Sequence, residues 1–553
     1  MEKQELGITA NNFYFYQNNF LKRFLPLWLA LLSGLLLWAA WPVSPLTVLI
    51  FAGFVPLLWL AESGISRRRF FRLVYLSMFT WNVAATWWIW NASAPGAVAA
   101  FLANSLLMCL PWLGYIVVRK WLGPVFGYIS LLAFWMCFEY IHLQDWGLSW
   151  PWLTLGNVFA THPEWIQWYE YTGTAGGSLW VLAVNILFFE YLKTYRNNRA
   201  QRSYGLLGLT LICLFLPLGL SMLMAVHKQV PGGNEVVIVQ PNIDPYEKVS
   251  DVTGSFEAQL QKLIRTSETK VDSTTRLLIW PETALYMASG IDEAAMKENY
   301  FLNPLWEFLR KHPRMSLFTG VESYRQLEQA TPFTREFSGQ FYEAYNGSVL
   351  LDSNGATAFY HKSMLVPGVE TLPWFLKFID SWFEKFGGTT AGYATQKERN
   401  ILREKNGFSI APSICYESIY GGFMRHYIKD GANLICIITN DGWWKNTPGH
   451  KQHMNYARLR AIETRTWVAR SANTGISCFI DPFGSVWQPQ PYNTTAAIKQ
   501  LLPASRRDIK TFYVRHGDIL SFIMTGLSLL LTGWVLGMKT KEKFFRNKKS
   551  SAV

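Results

Sequence analysis

The sequence predicts a two-part protein, a membrane α-helical bundle of eight transmembrane helices joined to an α/β domain. Three observations predict it. Eight apolar segments reach spanning length, roughly 20 residues each. Lysine and arginine occupy alternate loops between them. Between the seventh and eighth segments the pattern changes to β-branched runs that alternate with helical ones.

The apolar segments cover roughly 24–41, 45–62, 72–91, 96–118, 123–142, 176–193, 205–226 and 520–538. Half of the 553 residues are hydrophobic and 16% are aromatic, too apolar for an ordinary soluble chain. The first segment has Lys22 and Arg23 before it, but no small-residue cleavage site after it. It therefore reads as an anchor rather than a signal peptide.

The net charge of +13 acquires meaning from its placement. Lys22 and Arg23 precede the first segment, and Arg67, Arg68, Arg69 and Arg72 follow the second. Arg119 and Lys120 follow the fourth, and Lys193, Arg196, Arg199 and Arg202 follow the sixth. A basic tail follows the eighth, and loops such as WPVSP and NASAPG carry no Lys or Arg. The positive-inside rule then puts both termini in the cytoplasm and residues 227–518 outside. Nucleic-acid binding has no support, because the basic residues belong to membrane loops. The expected division is 1–226 for seven helices, 227–518 for the α/β domain, and 519–553 for the last helix and tail.

The loop from His142 to Ala175 holds Trp146, Trp150, Trp152, Trp165 and Trp168. Indoles suit a membrane interface, so an aromatic belt or a substrate surface is expected there. PWFLKFIDSWFEKF places Trp374, Phe378, Trp382 and Phe386 on one helical face. That amphipathic pattern suits an arm lying at the membrane surface, or a helix packed on the domain core.

In 227–518, EVVIVQPNI, RLLIWPE, ATAFYHKSMLV, FSIAPSICYES and ANLICIITND read as strands, apolar or β-branched runs ended by Pro, Asn, Asp or Gly. FEAQLQKLIRTSE and HMNYARLRAIETR read as helices between strands. Strands alternating with helices predict an α/β fold.

Three strand ends carry Glu282, Lys362 and Cys415. Buried ends do not keep such groups unpaired. A carboxylate can take a thiol proton, a lysine can lower the thiol pKa and hold an oxyanion, and a thiolate can attack a carbonyl. The six cysteines form no CxxC pair and no zinc spacing. His450, His453 and Glu463 fit no usual zinc pattern and are expected to flank a helix start. No metal or cofactor is expected. There is no G-x-S-x-G elbow and no P-loop.

The order WPE, HK, CYES, NDGWW resembles the nitrilase or carbon–nitrogen hydrolase superfamily, whose αββα sandwich carries a Glu-Lys-Cys triad. With seven apolar segments before the domain and one after, the whole chain resembles that superfamily's membrane branch, the apolipoprotein N-acyltransferases. VQPNI, LVPGVE and the ARLRAIETR … RSANTG run support the resemblance. It implies Glu282 as general base, Lys362 as oxyanion-stabilising ammonium and Cys415 as nucleophile. It further implies a functional Glu370, an oxyanion-donating backbone N–H at Tyr416, a site role for Glu417, and Trp443 lining the cavity. Two places depart from the family pattern: Val249 stands near the family's tryptophan, with Tyr246 as a substitute, and GVE replaces the usual FGE.

The implied reaction is acyl transfer from a membrane phospholipid, through a Cys415 thioester, to the N-terminal diacylglyceryl-cysteine of an apolipoprotein. The implied enzyme is a monomer in the bacterial inner membrane, with its catalytic domain on the periplasmic face. A membrane-tethered amidase using water and a silent lipid-binding scaffold are the alternatives; the intact Glu, Lys and Cys set argues against the second.

Overall fold

The computed structural model describes residues 9–197, 200–225, 232–245, 256–331, 333–371, 392–504 and 510–550. The helical arm expected over 373–386, and Tyr246 and Val249, lie outside the described residues.

Helix follows every expected apolar segment. The chain runs through α1 (Thr9–Ala40), α2 (Val55–Glu62), α3 (Arg67–Thr86), α4 (Ala94–Leu107), α5 (Cys109–Leu122), α6 (Pro124–His142), the short α7 (Tyr169–Thr172), α8 (Thr174–Arg196) and α9 (Ala200–Met224). Among the described residues five stretches are long and apolar enough to cross a bilayer: 94–122, 124–142, 174–196, 203–224 and 519–544. The segment expected as one span over 45–62 is divided. A 3₁₀ turn over Thr47–Ala52 precedes α2, and Pro56 sits in the first turn of α2. Proline lacks the N–H that a continuous helix needs, but it fits a first turn. Gly123, at φ +88°, and Pro124 separate α5 from α6 in the same way.

The α/β part is built from β1 (Asn234–Gln240), α10 (Phe256–Glu268), β2 (Thr275–Ile279), β3 (Ile291–Asp292), α11 (Asn303–Lys311), β4 (Ser316–Leu327), β5 (Arg335–Phe337), β6 (Gln340–Asp352) and β7 (Gly355–His361). It continues through β8 (Leu402–Arg403), β9 (Ser409–Ile414), α12 (Gly421–Asp430), β10 (Leu434–Thr439), α13 (Pro448–Thr464), β11 (Val468–Ala472), β12 (Cys478–Ile480), β13 (Val486–Trp487) and β14 (Ala496–Leu502). The short α14 (Phe512–His516) then leads into α15 (Ile519–Ser550).

These strands form two sheets. The first runs β14-β1-β2-β4-β6-β5, with β3 on β4 and β7 on β6. The second runs β13-β12-β11-β10-β9-β8. Strand alternation explains the layering. Val236 and Ile238, Phe318 and Leu350 pack into the core shared with the second sheet's Ile410, Ile414 and Ile437. Val237 and Val239, Leu317 and Val349 face the other way, against Leu260, Leu263 and Leu305 of α10 and α11. In β10 every residue is buried, as for a parallel strand covered on both faces. β9, β10 and β11 run parallel, so the chain leaves β9 and β10 at the same edge.

Candidate active site

Four strand exits meet at one place. β2 leads into Trp280, whose indole N–H donates to Ser267 Oγ at 2.9 Å, and then into Pro281 and Glu282. β7 leads into Lys362, whose N–H pairs with Asn346 O at 2.9 Å. β9 leads into Cys415, and β10 into Asn440.

Glu282, Lys362 and Glu370 form one charged cluster. Lys362 Nζ lies 2.8 Å from Glu370 Oε1 and 3.4 Å from Glu282 Oε1. Its side chain is 1% exposed. Asn346 Nδ2 bridges the two carboxylates, donating to Glu282 Oε1 at 3.0 Å and Glu370 Oε1 at 3.1 Å. The Asn440 N–H donates to Glu282 Oε2 at 3.0 Å, and the Val366 N–H donates to Glu370 Oε2 at 2.8 Å. Burial alone would favour a neutral amine at Lys362. Glu370, then Glu282, outweigh it and hold the ammonium above its ordinary range.

Cys415 lies within electrostatic reach of both Glu282 and Lys362. The sequence suggested that lysine would lower the thiol pKa. Lysine does pull it down, but burial, then Glu282, push it further up. The resting group is a thiol, and its proton needs an acceptor. Cys415 also holds φ at +51°, and so does Thr283, next to Glu282, at +49°. Such left-handed conformations cost non-glycine residues about 1–3 kcal/mol and are held only by their surroundings.

One restraint on the Glu282 turn is visible at Gly320 in β4. A Cβ there would come within 2.4 Å of Thr283 N and 2.7 Å of Glu282 Cα. Gly320→Ala should cost about 1–3 kcal/mol, as overpacking does. It should also displace Glu282 and slow Cys415 acylation. A thermal melt and an intact-mass time course check this; an unchanged time course would mean that the turn absorbs the methyl group.

Glu417 braces the site from behind. Its Oε1 accepts from Tyr360 OH at 2.7 Å, Ser363 N at 2.7 Å and Met364 N at 3.2 Å, and its Oε2 from Ile414 N at 2.7 Å. It thus ties the loop after Lys362 to the residue before Cys415. Burial pushes its carboxyl up to about 7 against these donors. In Glu417→Gln one oxygen becomes an NH₂, so a buried N–H loses its acceptor, at about 1–3 kcal/mol. The expected result is a lower melting temperature and slower acylation, read from a melt and the same mass assay; an unchanged melt would contradict the bracing role.

Tyr416 ties the site to the helical part. Its hydroxyl donates to Ser149 O at 2.9 Å, and its ring stacks on Trp150 at 5.9 Å and 12°. Trp152 is fully buried and donates to Gln452 Oε1 of α13 at 2.7 Å. These two tryptophans join the two parts of the chain, a use that neither the expected belt nor the expected substrate surface included; of the loop's five, Trp146 is the exposed one. Trp443 is half-buried in the Asp441–Trp444 turn. Its neighbour Trp444 packs on Trp88 at 4.7 Å and Trp152 at 5.6 Å.

His450 and His453 lie inside the first turns of α13, which Thr447 caps. No group of three or more His, Cys, Asp or Glu fit to hold a metal occurs among the described residues. Sequence reasoning missed Asn346, the Asn440 N–H and Tyr360. A lone asparagine in the apolar run YNGSVLL was the available signal for the first.

The two-sheet part is of the carbon–nitrogen hydrolase class: the Carbon-nitrogen hydrolase family model matches residues 235–510. The Apolipoprotein N-acyltransferase N-terminal domain model matches residues 33–187. The chain is similar to apolipoprotein N-acyltransferases of Chlorobaculum tepidum (29% identical, covering 92% of this chain and 96% of that one) and Thermotoga maritima (24%, 92% and 93%). It is similar to that of Azotobacter vinelandii at 28%, over 81% of this chain and 80% of that one. A solved mutant of the Nesterenkonia AN1 amidase from the nitrilase superfamily matches at 14% identity and a TM-score of 0.35, covering 53% of this chain and 97% of that one. The chain belongs to the apolipoprotein N-acyltransferase family. With its apolar helices, it is a bacterial membrane protein.

Proposed function

We propose that this protein moves an acyl chain from a membrane phospholipid to the α-amine of the diacylglyceryl-modified N-terminal cysteine of an apolipoprotein. The observation that carries this reading is the cluster of Glu282, Lys362 and Glu370 with Cys415 within electrostatic reach, in a chain whose relatives along nearly its whole length bear that name.

Glu282 takes the Sγ proton as sulfur attacks the phospholipid ester carbonyl. The Sγ–C bond forms, and the developing oxyanion is held by the Lys362 ammonium and the Tyr416 N–H. The ester C–O bond then breaks, and the lysophospholipid oxygen leaves with the proton from Glu282. In the second half the lipoprotein amine attacks the thioester, Glu282 takes its proton, and Sγ leaves and is reprotonated. Glu370 and Asn346 orient Lys362, Glu417 braces the strand end, and Trp443 lines the acyl cavity. Both substrates are membrane-anchored, which is the reason for joining this domain to helices.

The same reading takes all eight helical segments as spans, with both termini cytoplasmic. Residues 1–226 and 519–553 form the membrane part, and 227–518 the catalytic domain, of a periplasm-facing monomer. Three expected spans are not among the five: 24–40 and 47–62 are shorter, and α3, at 20 residues, is long enough but less apolar. The charge alternation and the helices at those positions support counting them.

The test is intact mass of the purified protein in phospholipid micelles, followed by a diacylglyceryl lipopeptide. An acyl adduct on Cys415 that then moves to the peptide amine is expected. Loss of the adduct only to free fatty acid would favour the water-using hydrolase, and no adduct from any phospholipid would overturn both.

A further inference from the structure

We propose that His453 aims the oxyanion donor of this site by holding the carbonyl of the nucleophile itself. The inference rests on the role given above to the Tyr416 N–H. A trans peptide is planar, with its C=O and the next N–H pointing in opposite directions. The Cys415–Tyr416 bond is trans, since Pro42–Val43 is the cis bond among the described residues. Whatever fixes Cys415 O therefore fixes where Tyr416 N–H points.

Two groups fix that oxygen. Ser418 Oγ donates to it at 2.8 Å, and His453 Nε2 lies 3.1 Å from it. Ser418 Oγ also lies 3.0 Å from Nε2. A carbonyl only accepts, so a proton is assigned to Nε2, which then donates to Cys415 O. The imidazole is locked from its other side. Nδ1 lies 2.9 Å from Asp441 Oδ1, which only accepts, and 3.1 Å from Arg470 Nη2, which only donates, so one or the other bonds it whichever way its proton is placed. Asp441 also receives Arg470 Nη2 at 2.7 Å and Thr439 Oγ1 at 2.8 Å. Burial would protonate Asp441, but Arg470, then His453, hold it ionised. Every side chain in this chain of bonds is buried. The ring is flanked by Trp444 at 5.4 Å and by Trp152 at 5.9 Å.

This arrangement accounts for the left-handed Cys415. A non-glycine residue at φ +51° needs its peptide held from outside, and His453 with Ser418 supplies the hold. A donor on the carbonyl also polarises the peptide, which strengthens the N–H at its other end. His453 is thus a positioning residue: it acts through the Cys415–Tyr416 peptide and touches no substrate.

The test separates two reactions of the same sulfur. Acylation by p-nitrophenyl acetate passes through an oxyanion, whereas alkylation by iodoacetamide does not. Wild type, His453→Leu, His453→Gln and Ser418→Ala would be compared in phospholipid micelles, with nitrophenolate release and intact mass as readouts. His453→Leu should slow acylation about 10- to 100-fold, less than the 10²–10³ of deleting an oxyanion donor. Alkylation should stay near the wild-type rate. His453→Gln, whose amide N–H falls near the place of Nε2, should recover most of the acylation. Ser418→Ala leaves the buried ring in place and should slow acylation severalfold, so the proposal stays testable if His453→Leu does not fold. Equal slowing of both reactions in all three variants, or acylation unchanged in all, overturns it. A wild type that reacts with the ester but takes no acyl chain from phospholipid would instead sink the function reading, and the comparison of variants would still read.

Discussion

Cys415→Ala should carry no acyl adduct after incubation with phospholipid and should transfer nothing to a lipopeptide amine. The sulfur is the atom on which the acyl group would reside, and no neighbour can replace it. Of the six cysteines, Cys415 alone lies within electrostatic reach of both Glu282 and Lys362 among the described residues. The fold should survive, because alanine meets the same left-handed backbone requirement as cysteine. The lost sulfur is worth about 1 kcal/mol of burial. A melt close to wild type with no adduct is the expected pair of results. An adduct that persists in Cys415→Ala would place the nucleophile elsewhere. Cys415→Ser should also be severely impaired, since a hydroxyl is far less readily deprotonated than a thiol. In the wild type, a thiol pushed above its ordinary range has little thiolate at pH 7. Alkylation should therefore keep rising above about pH 9, where an ordinary cysteine has begun to level off.

The parts of this site that could be read from the sequence are those set by local pattern. Glu282, Lys362 and Cys415 each end an apolar run, and a strand end is where a buried run releases one polar residue to a rim. Asn346 was hidden because its contact with Glu282 and Glu370 depends on β6 lying beside β4 and β7, at sequence distances no local period encodes. The sign of the thiol shift was hidden for another reason. A lysine nearby suggests a lowered pKa, but depth of burial decides the outcome, and burial is a property of the packed fold. Trp150 and Trp152 show a third limit. Indoles with one wet end and one apolar face suit a membrane belt and a domain interface equally well. Only the register of Ser149 and Trp150 against Tyr416 separates the two uses. For 45–62, hydropathy registers apolar length but not the break that Gly53 and Pro56 impose.

Glu282→Gln should act on two measurements in opposite directions. Glu282 is the proposed acceptor of the thiol proton, and its loss should slow acylation by about 10² to 10⁴, the usual range for a general base. Yet the negative charge of Glu282 is one of the forces that raise the thiol pKa, second to burial. The amide removes that charge while leaving Lys362 and its downward pull. The pH at which Cys415 begins to alkylate should therefore fall, even as acylation at neutral pH nearly stops. Lys362 keeps Glu370 at 2.8 Å, so the ammonium retains a partner and the cluster need not come apart. A purely structural Glu282 would predict loss of both reactions together. A base that acts through water would predict the slow acylation but no shift in the alkylation profile. Measuring the two profiles on one preparation distinguishes these cases. The opposed signs are a consequence of one carboxylate both storing the thiol as an acid and removing its proton at the moment of attack.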